Sequence, residues 1–288
     1  MVLRLLKTQT ENKLLIERVM YTKRYSLALN RERCVGCEIC QIACPREAIT
    51  IVKPVKAAGE RLSSLTITID EAKCSFCGIC NAICPFGALS LTINGDLLIP
   101  VLEKESFPRL VREINIDVTK CPMDCKECEE ACPFNLIKVT ADKAEGKIKV
   151  EINEEHCPGC RLCEVKCPHG AMAVKKVIFG SIAVDVDKCP EGCRDCFDVC
   201  PVPGVLNVLE NGKIDVDGFC CIYCGACRVV CPAEDALMLE RTSVNHTPVR
   251  SGAWNKALEK LASAHGVAKE LRSRSSVKAK DSVKRRIG

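Results

Sequence analysis

The sequence predicts an α+β chain of tandem small modules, in which short strands, short hairpins and short helices close around metal-binding cysteines. Three observations predict it. Cysteine supplies 25 of the 288 residues, far above ordinary usage. Most of these cysteines recur in one spacing along the chain. Short alternating apolar stretches flank the recurrences. The hydrophobic fraction of 47% counts cysteine as apolar, and Trp, Tyr and Phe together number only 11. The Leu, Ile, Val and Phe core is therefore thin, and bound metal must help to hold the fold.

Charges run through 1–18 without a continuous apolar stretch and small-residue cleavage site, so no secretory leader is expected. No apolar run approaches the ~18 residues of a membrane span. The best stretch, 171–184, is cut by Lys175 and Lys176. The expectation is a cytoplasmic protein, where a reducing environment disfavours disulfides and points this many cysteines to metal.

The cysteine motif occurs six times. Copy one is Cys34, Cys37, Cys40, Cys44 followed by Pro45, and copy two is Cys74, Cys77, Cys80, Cys84 followed by Pro85. Copy four (Cys157, Cys160, Cys163, Cys167, Pro168) and copy six (Cys221, Cys224, Cys227, Cys231, Pro232) share this C-x2-C-x2-C-x3-C-P spacing. Copies three (Cys121, Cys125, Cys128, Cys132, Pro133) and five (Cys189, Cys193, Cys196, Cys200, Pro201) widen only the first gap, to C-x3-C.

Cluster geometry explains the spacing. A 4Fe-4S cube presents four irons, and a short run of three cysteines can wrap three of them. In two-cluster ferredoxins the last cysteine of each run ligates the other cluster, and the proline after it turns the chain away with no amide to satisfy. Six runs of four thus predict six 4Fe-4S clusters on 24 cysteines. Aligning the copies leaves Cys220 over, in the slot filled elsewhere by Arg33, Lys73, Lys120, His156 and Lys188. It reads as a spare thiol, with an alternative ligand role for the last cluster unneeded. Structural zinc prefers two C-x2-C pairs closing one tetrahedral site, which suits runs of four thiols less well, and a disulfide framework suits them less again. His156 and His169 read as covering side chains rather than ligands, since His169 fills the slot held elsewhere by Arg46, Phe86, Phe134, Val202 and Ala233.

Apolar alternation at 26–29, 48–52 and 65–69 predicts strands beside the motifs. Turn residues at 56–60, 141–146 and Asn211-Gly212 predict hairpins between consecutive motifs. The stretch after each Cys-Pro allows one helical turn. Motifs then pair into three ferredoxin-like modules, either sequentially or nested with copies one and six outermost. The sequential division reads as an N-terminal docking arm over 1–24, modules over 25–99, 100–174 and 175–241, and a basic, helical C-terminal extension over 242–288.

Over about 25–241 the motifs resemble those of bacterial two-cluster ferredoxins. As a tandem array the chain resembles the polyferredoxins of anaerobic, methane-metabolising archaea. Within that group it is similar to the polyferredoxin subunits of formylmethanofuran dehydrogenases, through the mixed C-x2-C and C-x3-C copies (Cys121-Pro-Met-Asp-Cys125-Lys-Glu-Cys128) and the basic extension around Trp254. This chain carries fewer motif copies than is typical there. The resemblance implies an electron-wiring subunit beside a molybdenum or tungsten enzyme that reduces carbon dioxide.

From the residues alone, every run supplies four thiols, so no cluster keeps an open iron for substrate. No Gly-rich phosphate loop, dinucleotide fingerprint or nucleophile elbow occurs. The acidic pairs Glu129 with Glu130 and Glu154 with Glu155 read as solvated charges. One-electron relay between redox enzymes remains, with partners among the other subunits and donor or acceptor proteins of a redox complex, and nucleic acid not expected. The rival functions are an iron-sulfur subunit of another anaerobic oxidoreductase or hydrogenase complex, a catalytic iron-sulfur subunit, and a zinc-bound assembly module. Hops are expected along a row of modules joined by short linkers.

The formal net charge is +5, but each oxidised cube with its thiolates carries about −2, which brings the loaded chain to about −7. From Arg241 to Gly288, 12 Lys and Arg face 3 Asp and Glu. The apolar helical spacing of this tail at 254–262 and 267–271 predicts a helical anchor on an acidic partner, with a solvated tail or non-specific phosphate binding as alternatives. Copy three carries Asp124, Glu127, Glu129 and Glu130 against Lys126, whereas copy four carries Arg161, Lys166 and His169 against Glu164. The cluster at copy three's first three cysteines is expected at a lower potential than that of copy four.

Overall fold

The structure, a computed structural model, describes residues 2–54, 65–142, 147–268 and 271–272. The predicted turn at 56–60, most of the turn at 141–146 and the Ser-, Lys- and Arg-rich end of the chain lie outside the described residues.

Alternating side chains make β1 (Val2–Gln9), β2 (Lys13–Met20) and β3 (Arg24–Asn30) three antiparallel strands in one sheet. Copy one follows, with α1 (Ile39–Ala43) between its cysteines, and β4 (Ile49–Val52) leads to β5 (Thr66–Ile69), copy two with α2 (Ile79–Ile83), and β6 (Leu89–Ile93). A two-residue β7 (Asp96–Leu97) completes the sheet in the order β1-β2-β3-β6-β7. Beyond α3 (Pro100–Glu103), the pattern recurs as β8 (Ile114–Ile116), α4 (Glu127–Glu130), β9 (Ile137–Asp142), β10 (Lys147–Ile152), α5 (Leu162–Lys166) and β11 (Met172–Val174). It recurs again as β12 (Ile178–Val184), α6 (Asp195–Asp198), β13 (Leu206–Val208), β14 (Ile214–Val216), α7 (Ala226–Val230) and β15 (Leu237–Val244), before α8 (Gly252–Leu261).

Strand pairing decides between the two arrangements that the motifs leave open. The strand before an odd copy pairs antiparallel with the strand after the next even copy: β3 with β6, β8 with β11, β12 with β15. The strands between the two copies form a hairpin: β4 with β5, β9 with β10, β13 with β14. Pairing is therefore sequential, and each module has a two-fold pseudo-symmetric plan with two short helices facing each other, α1 against α2, α4 against α5 and α6 against α7. The helices stay short because a residue before proline is driven to the extended region. Cys44, Cys84 and Cys167 end α1, α2 and α5 at ψ 115°, 113° and 107°. Between β13 and β14, Gly212 takes φ +77° and the Leu209 amide donates to the Lys213 carbonyl, so the predicted Asn211-Gly212 hairpin forms.

Two expectations change. The 1–24 segment is an integral part of the first sheet: Leu14 and Ile16 of β2 are fully buried, while β1 keeps Val2, Leu3 and Leu5 exposed. The helix at the start of the C-terminal extension does not reserve its apolar face for a partner. Ser251 caps α8, accepting from the Ala253 and Trp254 amides and donating to the Ser106 carbonyl at 2.6 Å. Trp254, Ala257, Leu258 and Leu261 are buried, and α8 packs against α1 of the first module. Trp254 is 0% exposed, with Phe107 edge-on at 5.1 Å and His246 at 4.7 Å between centroids. The chain thus folds back on itself, and the modules do not lie in a row. Helix continues at 264–268, and the next two residues of the predicted 267–271 segment fall outside the described residues.

Removing this anchor has a large expected effect. Trp254→Ala should lower the unfolding free energy by about 3–5 kcal/mol, measured as a lower denaturant midpoint with the iron-sulfur colour as the signal.

Candidate metal centres

Each copy is built by the same local rules. An Asn or Asp stands four residues before every first cysteine: Asn30, Asp70, Asp117, Asn153, Asp185 and Asp217. In five of the six its side chain accepts amides two or three residues on, such as Ala72 and Lys73 onto Asp70 and Phe219 onto Asp217. These Asx turns bend the chain from the preceding strand into the cysteine run. This repeat stands in plain spacing in the sequence, outside the cysteine motifs themselves.

Left-handed residues do the rest. In the C-x2-C copies the residue before the second cysteine is Gly36, Phe76, Gly159 or Tyr223, all at φ between +51° and +73°. Such turns aim main-chain amides inward as anion-binding concavities. The Phe76 and Tyr223 amides donate to the Cys74 and Cys221 sulfurs at 3.4 and 3.3 Å. A second left-handed residue follows each last cysteine by three in copies one to four (Glu47, Gly87, Asn135, Gly170). It delivers the next amide, from Ala48, Ala88, Leu136 or Ala171, to that cysteine's Sγ at 3.4 Å. Copies five and six carry one extra residue there, at Gly204 and Asp235. Cys200 and Cys231 instead donate to the Val202 and Ala233 carbonyls.

The thiols gather in fours, and each four is split between two copies. Cys84 is the electrostatic neighbour of Cys34, Cys37 and Cys40. Cys44 joins Cys74, Cys77 and Cys80 in the same way. The second module brings Cys167 to Cys121, Cys125 and Cys128, and Cys132 to Cys157, Cys160 and Cys163. The third brings Cys231 to Cys189, Cys193 and Cys196, and Cys200 to Cys221, Cys224 and Cys227. Three of these quartets each line an apolar cavity in full: Cys44 with Cys74, Cys77 and Cys80; Cys132 with Cys157, Cys160 and Cys163; Cys200 with Cys221, Cys224 and Cys227.

The donor set suits a cube better than an ion. Tetrahedral zinc needs thiolates about 2.3 Å from one point, and among the described residues no three His, Cys, Asp or Glu side chains are grouped to hold a single ion. Four soft thiols spaced around a cavity fit the four irons of a 4Fe-4S cube. Burial, with the neighbouring thiols, pushes Cys37, Cys40 and Cys80 far up. It pushes Cys160, Cys163, Cys196 and Cys200 up to about 12. At Cys167 burial acts upward too, but the amides of Ala171, His169, Met172 and Gly170 leave the thiol below its ordinary value. Metal binds the thiolate form, so loading the thiols that burial pushes up, such as Cys160 and Cys196, releases protons.

Residues outside the motifs also reach the sites. Arg112 donates from Nε to the Cys157 carbonyl at 2.9 Å and from Nη2 to the Pro85 carbonyl at 3.3 Å. Lys176 donates to the Cys221 carbonyl at 2.7 Å. Arg241, buried, donates to the Cys224 carbonyl at 3.0 Å, to the Tyr223 carbonyl at 2.8 Å and to Glu38 at 2.7 Å. Arg18 donates to the Cys74 carbonyl and stacks on Phe76. No sequence spacing marks these four cations. Cys220 is buried beside copy four's Cys160 and Lys176. His169 is exposed, and His156 packs against Gly87, where a Cβ would lie 2.2 Å from its Nδ1.

Comparison with known proteins agrees with this geometry. The 4Fe-4S dicluster domain matches residues 33–88 and 120–171, and a 4Fe-4S binding domain matches residues 221–236. An iron-sulfur protein of Rhodospirillum rubrum is 41% identical over 63 residues, 22% of this chain and 32% of that one. The polyferredoxin protein MvhB of Methanothermobacter marburgensis is 35% identical over 105 residues, 33% of this chain and 23% of its own length. The matches thus span about a third or less of these two relatives. Among solved structures, a chain of the formate dehydrogenase, heterodisulfide reductase and formylmethanofuran dehydrogenase complex from Methanospirillum hungatei superposes with TM-score 0.77 at 33% identity, covering 90% of this chain and 91% of that one. The chain belongs to the family of 4Fe-4S dicluster ferredoxins, in its tandem form, the polyferredoxins.

Proposed function

We propose that this chain is an electron-relay subunit carrying six 4Fe-4S clusters, one in each thiol quartet. The ligands are the 24 motif cysteines, with Cys44, Cys84, Cys132, Cys167, Cys200 and Cys231 each serving the cluster of the other copy in its module. The single observation that carries this reading is the composition of the cavities: three sulfurs from one copy and the last sulfur of its partner. Its partners are the other subunits of an oxidoreductase complex, of the kind that a formylmethanofuran dehydrogenase represents, working in the reducing cytoplasm. Among the described residues no helix is long and apolar enough to cross a membrane.

The clusters supply reversible uptake of one electron at a time. The protein's own residues decide how well that works. Ile79, Phe76 and Leu91 around one quartet, and Val202, Val205 and Leu239 around another, keep water from the sulfurs. The amides of Ala48, Ala88, Leu136 and Ala171 spread the thiolate charge and raise the local potential, as hydrogen bonds to sulfur do. Four protein thiols in every quartet leave no open coordination position, which favours relay over catalysis.

The full chain purified without oxygen should hold about two dozen irons and as many sulfides, and lose visible absorbance with dithionite. A count of one metal per quartet, or zinc in place of iron, overturns the reading. Cys132→Ser should damage the cluster of copy four and spare that of copy three, so its spectrum should match that of Cys160→Ser and differ from that of Cys125→Ser. In copy three Asp124, Glu127 and Glu130 are exposed around the run, while the copy-four quartet has Arg112 on the Cys157 carbonyl. Potentiometric titration should place the copy-three cluster below the copy-four cluster, and the reverse order would mean that amide dipoles outweigh side-chain charge.

A further inference from the structure

We infer, resting on that reading, that the chain is a closed three-way junction. The clusters of copies one, four and six, one from each module, meet edge to edge in a triangle, and a cationic side chain sits on every edge.

The first edge joins the first and second modules. Arg112 links the Cys157 carbonyl to the Pro85 carbonyl, and both Cys84 and Cys157 are its electrostatic neighbours. Cys84 belongs to the copy-one quartet and Cys157 to the copy-four quartet. Phe86 lies against Phe134 with centroids 5.6 Å apart, so the tails of copies two and three close over the same seam. The second edge joins the second and third modules. Lys176 donates to the carbonyls of Gly218 and Cys221, at 3.3 and 2.7 Å, and has Cys160 as a neighbour as well. Arg161 stacks on Phe219 at 4.3 Å beside it.

The third edge joins the two ends of the chain and turns a row into a ring. Cys37 of copy one and Cys224 of copy six are direct electrostatic neighbours. Between them Glu38 receives Arg228 and the buried Arg241, and Arg241 also donates to the Tyr223 and Cys224 carbonyls. Gly225 is required there, because a Cβ would lie 2.5 Å from the Glu38 carboxylate and 2.7 Å from Arg241 Nη2. A buried ion network of this kind, spanning about two hundred residues of sequence, fixes one arrangement of the modules at some cost in desolvation.

The geometry has an electrical consequence. Two loaded cubes side by side repel through about −2 of charge each, and a cation between them offsets that repulsion. An electron arriving on either cube of an edge is stabilised by the same cation, so each edge raises both of its clusters together. Every inner cluster shares its module with a second cluster: that of copy two, three or five. The runs of copies three and five lie on segments whose intervening residues Pro122, Asp124, Lys126, Pro190, Glu191 and Gly192 are exposed. Electrons entering at one module reach either other module across a single edge, and loss of one edge leaves a second route.

The test uses the whole chain, loaded and anoxic, after its iron has been counted; a chain without iron fails at that step and overturns the relay reading together with the junction. Clusters are assigned with single Cys→Ser variants and their potentials titrated in Arg112→Met, Lys176→Met and Arg241→Met, each beside a charge-keeping variant (Arg112→Lys, Lys176→Arg, Arg241→Lys). The expected result is pairwise: each Met variant moves a different pair of inner clusters to more negative potential, copies one and four, four and six, and one and six in turn. The other clusters stay in place and the charge-keeping variants restore the shift. A single-cluster shift, or movement of the clusters of copies two, three and five, overturns the triangle. Because Arg241→Met can fail to fold, the same edge is also read through spin–spin broadening in the reduced chain. Cys224→Ser, which disables the copy-six cluster, should narrow the signals of both the copy-one and copy-four clusters. Narrowing of the copy-four signal alone would restore a linear order and refute the ring.

Discussion

The fold rests on the exchange of one sulfur between two halves of a module. A short run brings three thiols together, and the fourth thiol of the group comes from the neighbouring copy. Everything else in the module is arranged to make that exchange possible. The strand before one copy must lie beside the strand after the other, as β3 lies beside β6. The two short helices must face each other, as α1 faces α2. The helix must stop at its last cysteine so that the sulfur points across the module, and the proline that follows enforces the stop.

A core built this way depends on few large apolar side chains. Leu27, Leu29, Leu89 and Leu91 bury one face of the first sheet, while cysteines fill positions that Leu or Ile would take in an ordinary domain. The second module shows the limit of the scheme: its own apolar cluster is small, centred on Ile137, Val139, Met172 and Val174. It leans instead on its neighbours, through Phe134 on Phe86 and Arg161 on Phe219. Module contacts are therefore part of what holds each module, and the cations at the seams serve packing and electrostatics at once.

Much of the centre is legible in the sequence. Three full quartets of motif thiols, each split between two copies, line apolar cavities, and the Asn211-Gly212 hairpin sits where the sequence puts it. Other signals were present and unused. The Asn or Asp four residues ahead of each first cysteine is one. The residue three places after each last cysteine in copies one to four is another: Gly87, Asn135 and Gly170 suit a left-handed backbone, and Glu47 alone conceals it.

What the sequence by itself determined is local: which sulfurs belong to which run, where helices must stop, and that metal replaces part of the core. These follow from spacing over a dozen residues, which the peptide geometry converts directly into shape. What only the tertiary structure decided is long-range. Sequential pairing came from β3 meeting β6, the fate of the C-terminal helix from Trp254 meeting Phe107, and the closure of three modules from Glu38 meeting Arg241. Residues so far apart leave no periodic trace. Whether they touch depends on the summed packing of every segment between them.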